Sequence, residues 1–292
     1  MKKIISIILT ITFVLSAFTF LASAESSADN TPNISKSEFA KQCREKTNQK
    51  QSRSILSEEE IDELIRLYMC DSNPDYYEQL LNDAGLYVYA SATTVSNNAR
   101  SDSSDIVLNK VSAVHNSIEN IWILTAYGFW SDVNAIKDDV GFIVPIAGWE
   151  YKVGGYDAVG IHFYDVSGTT PNLTDAFVRI SDNRSADTPD KLTSPSTYND
   201  RYGIGFIFQD KMICLTSTLF DYTLDYYGAQ LQVIAKYDSS FENFSGKAKM
   251  MYLHTIDGLS FNSISISNSG FSFGWTSSAQ AIPYYSSAVL SF

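Results

Sequence analysis

The stretch GGYDAVGIHFYDV, residues 154–166, sets His162 between Asp157 and Asp165 just after Gly154 and Gly155. An imidazole flanked by carboxylates is the composition of a general acid–base site or of a metal site. The period of a strand separates these groups, because side chains of an extended chain alternate between faces. His162 then shares a face with Tyr156, Ala158 and Tyr164. Asp157 and Asp165 fall on the other face with Val159, Ile161 and Phe163, about 26 Å apart at ~3.3 Å per residue. The segment therefore reads as a Gly-Gly turn feeding a core strand, with any binding chemistry on the face of Tyr156, His162 and Tyr164.

Other chemistry-bearing residues are scattered. His115, His162 and His254 lie on separate segments and have no i, i+2 or i, i+4 histidine partner, so no metal spacing emerges. No G-x-S-x-G elbow, H-E-x-x-H helix or phosphate-binding loop occurs. Glu150 and Glu242 are the carboxylates available as an acid and base for glycoside hydrolysis. The loop Asp182 to Asp190 has the oxygen-rich composition suited to a structural calcium ion, but it lacks the glycine and bidentate glutamate of an EF-hand; no other cofactor is expected.

Aromatic residues point to binding. Trp149, Tyr151 and Tyr156 flank Gly154-Gly155, and Tyr222, Tyr226 and Tyr227 surround Asp221 and Asp225. Rings with polar tips beside carboxylates stack on sugars and hydrogen-bond to them. Trp149, Tyr151, Tyr156, His162 and Tyr164 are the candidate ligand-binding set, with an extracellular glycan or protein as the partner. A non-enzymatic binding protein is the leading reading and a glycan hydrolase the alternative. A third, a membrane-active β-pore, rests on NSISISNSGFSFGWTSS, residues 262–278, whose alternation resembles a pore hairpin but whose arms barely reach spanning length.

The elements that must position these residues follow from the N-terminus onward. Lys2 and Lys3, the apolar run Ile4 to Leu21 and the small-residue ending Ala22-Ser23-Ala24 read as a secretory signal peptide, residues 1–24, cleaved after Ala24. The expected mature protein is secreted and has no stable membrane anchor. Loss of Lys2 and Lys3 from the 21 basic residues leaves 19 against 33 acidic ones, a formal net charge of −14. Such an acidic surface argues against nucleic acid as a partner. Cys43, Cys70 and Cys214 have neither C-x-x-C nor metal spacing. A Cys43–Cys70 disulfide is open to a secreted chain, whereas Cys214 in an apolar run reads as a buried thiol.

Residues 25–56 are a polar tail with a short helix whose capping box is Ser35 to Glu38. Residues 57–90 form a helical hairpin. Ser57 and Glu60 make a second capping box, and Ile61, Leu64, Ile65 and Tyr68 fall on one stripe. Asn73 and Pro74 start a shorter helix that Gly85 stops. Residues 91–105, rich in Ser, Asn and Asp, form a linker to a β domain spanning 106–292.

Strands are expected at 106–114, 120–130, 156–166, 174–181, 202–209, 212–220, 229–237, 247–256, 259–267, 270–275 and 286–292. Tight turns are expected at Asp210-Lys211 and at Asp257-Gly258. No long helical crossover intervenes, so the fold class is mainly β: a two-layer antiparallel β-sandwich or jelly roll preceded by a small α-helical region. The segment NIWILTAYGFW, 120–130, is apolar on both faces. Such a strand is central and covered on both sides, and the helical hairpin is the expected second cover.

Overall fold

The computed structural model describes residues 34–49, 56–70, 73–91, 106–131, 146–182, 190–217, 222–255, 261–275, 281–285 and 289–292. Helices α1 (Lys36–Gln49), α2 (Glu58–Cys70) and α3 (Pro74–Asp83) come first. They are followed by β1 (Leu86–Ser91), β2 (Ile106–Asn116), β3 (Ile121–Trp130), β4 (Glu150–Gly168), β5 (Leu173–Ser181), β6 (Asp190–Leu192), β7 (Thr197–Asn199) and β8 (Gly203–Ser217). Then come β9 (Tyr222–Tyr227), β10 (Gln230–Tyr237), a short 3-10 helix Ser239–Asn243, β11 (Phe244–Thr255), β12 (Phe261–Ser267), β13 (Gly270–Trp275), β14 (Ala281–Tyr285) and β15 (Leu290–Ser291).

The strands form two antiparallel sheets. One has the order β1-β2-β3-β10-β5-β6, and the other β14-β11-β4-β8-β7, with β9 added to β8 and β15 to β11. Their inner faces meet in one apolar core, as alternation requires of a sandwich. Trp122, Leu124, Ala126 and Trp130 of β3 face Val159, Ile161 and Phe163 of β4 and Ala248, Met250 and Tyr252 of β11 across it. The fold class read from the sequence is the one observed.

The outer face of the first sheet carries the helical hairpin. Ile65, Tyr68 and Met69 of α2 and Leu81 of α3 pack with Ile123, Tyr127, Phe177 and Ile234. The two-faced apolarity of β3 is thereby explained: its other residues serve a second core under the helices. The caps form as their spacing predicts. Ser57 N donates to Glu60 at 2.8 Å and Glu60 N to Ser57 Oγ at 3.3 Å, while Asn73 accepts from Tyr76 N. Ion pairs fasten this layer. Arg179 donates to the fully buried Asp62 at 2.8 Å, and Lys236 bonds Glu58.

The outer face of the second sheet carries the β12–β13 hairpin. Ile264 and Ile266 are buried while Ser263, Ser265 and Ser267 are exposed, so the Ser/Ile alternation rests on the protein's own sheet. Its seat is the cross-strand pair Gly160 and Gly205. A Cβ on Gly160 would lie 2.6 Å from the Phe271 ring, and one on Gly205 2.7 Å from it, so only glycine lets that ring down onto the sheet.

Several local expectations are corrected. Asp210-Lys211 is not a turn: β8 runs unbroken from Gly203 to Ser217. Neither residue demands a positive φ, and the Asp210 carboxylate finds its partners inside the sandwich. Gly154-Gly155 is not a turn either but part of a bulge within β4, where residues 153–155 oppose Asp210 alone, with Gly154 at φ 51°. The strand after Asp257-Gly258 does not pair with the one before it. β11 pairs with β4, β14 and β15, whereas β12 pairs with β13. Cys43, Cys70 and Cys214 are not joined by disulfides, so the Cys43–Cys70 bridge does not form; Cys43 is buried and Cys70 exposed. The signal-peptide segment, residues 183–189 of the calcium-type loop and the Asp257-Gly258 turn itself lie outside the described residues. Among the described residues no helix is long and apolar enough to cross a membrane.

Candidate functional site

Three neighbouring strands of the second sheet each turn one polar side chain into the core at the same level. Along β4 the inward series is Asp157, Val159, Ile161, Phe163; along β8 it is Phe206, Phe208, Asp210, Met212; along β11 it is Met250, Tyr252, His254. Asp157 and Asp210 are fully buried and His254 is 2% exposed. One donor atom from each of the three lies within 4.8 Å of the others.

The surroundings hold the carboxylates in place. His254 Nδ1 stands 3.1 Å from Asp157 Oδ2, which also accepts the Tyr252 hydroxyl. Asp157 Oδ1 accepts the Thr255 amide at 2.9 Å. Asp210 accepts the Tyr226 hydroxyl on Oδ2 and, at 3.4 Å, Gln209 Nε2 on Oδ1. The same Gln209 amide donates to the carbonyls of Val153 at 3.1 Å and Gly155 at 2.8 Å, which the bulge frees from the ladder. The bulge and Asp210 are therefore one construction. Trp130 closes the cluster from the first sheet, edge-on to His254 at 5.0 Å.

Burial and the neighbouring Asp157 push the Asp210 carboxyl well above the ordinary aspartate range. Burial likewise pushes the Tyr252 hydroxyl well above its usual value, with Asp157 adding to it. Two carboxylates, one imidazole and two phenols thus share a dry compartment. It can hold a proton or a cation between the carboxylates, and among the described residues every side chain that forms it is buried.

The five residues singled out for ligand binding do not converge. Trp149 is 58% and Tyr156 42% exposed. Tyr151 is half-buried against the core, its hydroxyl accepting the Ile146 amide at 3.0 Å. His162 lies under the β12–β13 hairpin, 2.9 Å from the Ser267 carbonyl, and burial lowers its pKa. Tyr164 stacks on that imidazole at 5.8 Å, with Lys249 5.3 Å from its ring. The face of Tyr156, His162 and Tyr164 exists as alternation requires, but the hairpin covers its middle.

Trp149 has a polar setting at the other end of β4. Glu150 pairs with Lys211 at 2.9 Å, and Lys211 lies 5.8 Å from the Tyr227 ring. Glu150 and Glu242 stand at opposite ends of the sheet. Glu150 starts β4 and Glu242 lies in the 3-10 helix beside the other end of that strand, roughly 50 Å away at ~3.3 Å per residue.

Sequence reasoning placed Asp157 on the core face but missed Asp210 and His254. Asp210 was hidden by being read as a turn. The signal that finds it is the uninterrupted alternation of Phe206, Phe208, Asp210, Met212 and Cys214, which carries one inward face through the polar pair.

No described protein family and no curated protein matches the sequence. Among solved structures the chain is similar to one described as pH-induced modulation of Streptococcus parasanguinis adhesion by Fap1 fimbriae, with 14% identity over 70% of this chain and 94% of that one and a TM-score of 0.30. It is also similar to Clostridium perfringens delta-toxin, with 11% identity over 71% of this chain and 88% of that one and a TM-score of 0.22. Scores this low do not establish a shared fold.

Proposed function

We propose that the protein is a secreted, non-enzymatic β-sandwich that binds an extracellular carbohydrate at the Trp149 end of the second sheet. The observation that supports this reading is the exposure of Trp149, 58% open, one residue before Glu150, which pairs with Lys211. A free indole face next to fixed charged donors and acceptors supplies the two contacts a sugar offers, an apolar ring face and a rim of hydroxyls. Tyr156 of β4 and Tyr227 of β9, the latter opposite Lys211, add further rings to this sheet. Hydrolysis by paired carboxylates has less support. It needs two such groups about 5–10 Å apart and open to substrate, whereas Glu150 and Glu242 are far apart and Asp157 and Asp210 are buried.

The test is an array of extracellular glycans probed with the purified protein, followed by titration of the best ligand. Trp149→Ala should weaken binding about tenfold or more, equivalent to ~1.4 kcal/mol, and should leave the melting temperature unchanged. Silence across the array, or full affinity in Trp149→Ala, would sink the carbohydrate reading.

A further inference from the structure

The buried cluster opposite Trp130 plays no part in that binding surface, and its chemistry is specific. Two carboxylates and an imidazole come from β4, β8 and β11, adjacent strands of one sheet, with donor atoms within 4.8 Å of each other. Among the described residues no lysine or arginine forms an ion pair with either carboxylate, and the positive group within reach is His254. Two carboxylates buried side by side can be ionised together only with a counter-charge between them. We propose that Asp157, Asp210 and His254 bind one divalent transition-metal ion of the zinc type, which ties β8, β4 and β11 together as the sandwich folds.

The donor set selects the metal class. Imidazole nitrogen with two carboxylate oxygens suits zinc, while calcium and magnesium require six or more oxygens that this compartment does not supply. Ligands ~2.0–2.2 Å from a tetrahedral centre stand about 3.3–3.6 Å apart. The present 3.1 Å between His254 Nδ1 and Asp157 Oδ2 is already near that spacing. A dication with two carboxylates and a neutral imidazole is charge-neutral. The outer groups are those that orient metal ligands elsewhere: the Tyr252 hydroxyl and Thr255 amide on Asp157, and the Tyr226 hydroxyl on Asp210. A water or one of these phenols completes the four positions. Because the ligands come together only when the three strands pair, uptake accompanies folding.

The untagged chain would be refolded with zinc, with calcium, or with a chelator, desalted, and assayed for bound metal and melting temperature. About one zinc per chain and a melting temperature several degrees above the chelated protein are expected, with no comparable effect of calcium. Asp210→Asn, which keeps the shape of the side chain, and His254→Gln should each bind zinc at least tenfold more weakly. Asp165→Asn, at an exposed position of β4, should bind it fully. If either ligand variant fails to fold, cobalt taken up by the wild-type chain gives a readout of its own, the intense visible bands of a tetrahedral site. A folded wild-type chain with no zinc and no such bands, zinc uptake unchanged in Asp210→Asn, or equal stabilisation by calcium would each overturn the proposal. The first of these outcomes would identify the pair as one that shares a proton instead.

Discussion

The two ends of the sandwich interior are built on the same strands and filled in opposite ways. β3 marks both with a tryptophan. Trp122 stands among Phe241, His115, Tyr89 and Phe39, with Phe163, Tyr237, Phe244 and Phe292 continuing the cluster, whereas Trp130 faces His254 and Tyr252 above Asp157. β4 contributes Phe163 to one end and Asp157 to the other, and β11 contributes Phe244 and His254. Alternation buries all of them equally, so burial alone does not set their roles. The aromatic end is held by area and ring contact. The polar end is held by directional bonds to charged acceptors, which tolerate no loss of a partner.

The aromatic end should give the largest response to truncation. Phe241 is fully buried and touches Trp122, Tyr237, Phe244 and Phe292 at centroid distances of 5.2–6.1 Å, with Lys36 of α1 4.7 Å above its ring. Removing it loses both its transfer energy and the packing around the hole. Phe241→Ala should therefore cost about 3–5 kcal/mol in urea denaturation. A loss under ~1 kcal/mol would mean that the site collapses freely and that the end is loosely packed. Lys36 should loosen with it, because burial already lowers its pKa to about 8.

Each end also holds an imidazole, and their settings differ. His254 faces a carboxylate. His115 faces Trp122 at 4.9 Å and the Asn120 side chain at 3.4 Å, with Arg44 nearby, and burial lowers its pKa to about 4. Between that value and the ordinary 6.5, the unfolded chain binds a proton that the folded chain refuses. Stability from this group is therefore complete above pH ~6.5 and falls as pH drops to ~4, by on the order of 3 kcal/mol. His115→Asn should lose stability at neutral pH yet show a shallower decline on acidification. Denaturation midpoints taken at several pH values would show this, and parallel slopes for variant and wild type would rule it out.

The sequence made these two ends unequally visible. Helix caps, the two-faced β3 and the inward series of β4 follow from local rules of period and hydrogen bonding, and each is where those rules put it. The long strands were harder. Asp210 and Lys211 look like a turn because both are polar, and the bond that keeps Asp210 inside comes from Tyr226, a residue on another strand. The bulge at Gly154-Gly155 depends on Gln209 across the ladder, and the burial of His162 depends on a hairpin that starts about a hundred residues later in the chain. Alternation along β8 does mark Asp210 as inward, but the bulge and the covering hairpin leave no periodic trace of their own.

The polar end gives the smaller effect but the sharper test of the difference. Asp157 accepts from Thr255 N, His254 and Tyr252. In Asp157→Asn one oxygen still serves the Thr255 amide, but an NH2 group now confronts the Tyr252 hydroxyl and the imidazole. In metal-free buffer that should cost about 1–3 kcal/mol. Tyr252→Phe removes only the hydroxyl and should cost about 1 kcal/mol. The two changes together should cost less than their sum by at least ~0.5 kcal/mol, because each relieves the conflict the other creates. Phe241→Ala combined with Asp157→Asn should instead add within about 0.5 kcal/mol, since the two sites share no partner. Additivity at Asp157 and Tyr252 would show that the bond between them contributes nothing. Strong coupling between Phe241 and Asp157 would show that the two ends are a single packed unit, and the contrast between them would fail.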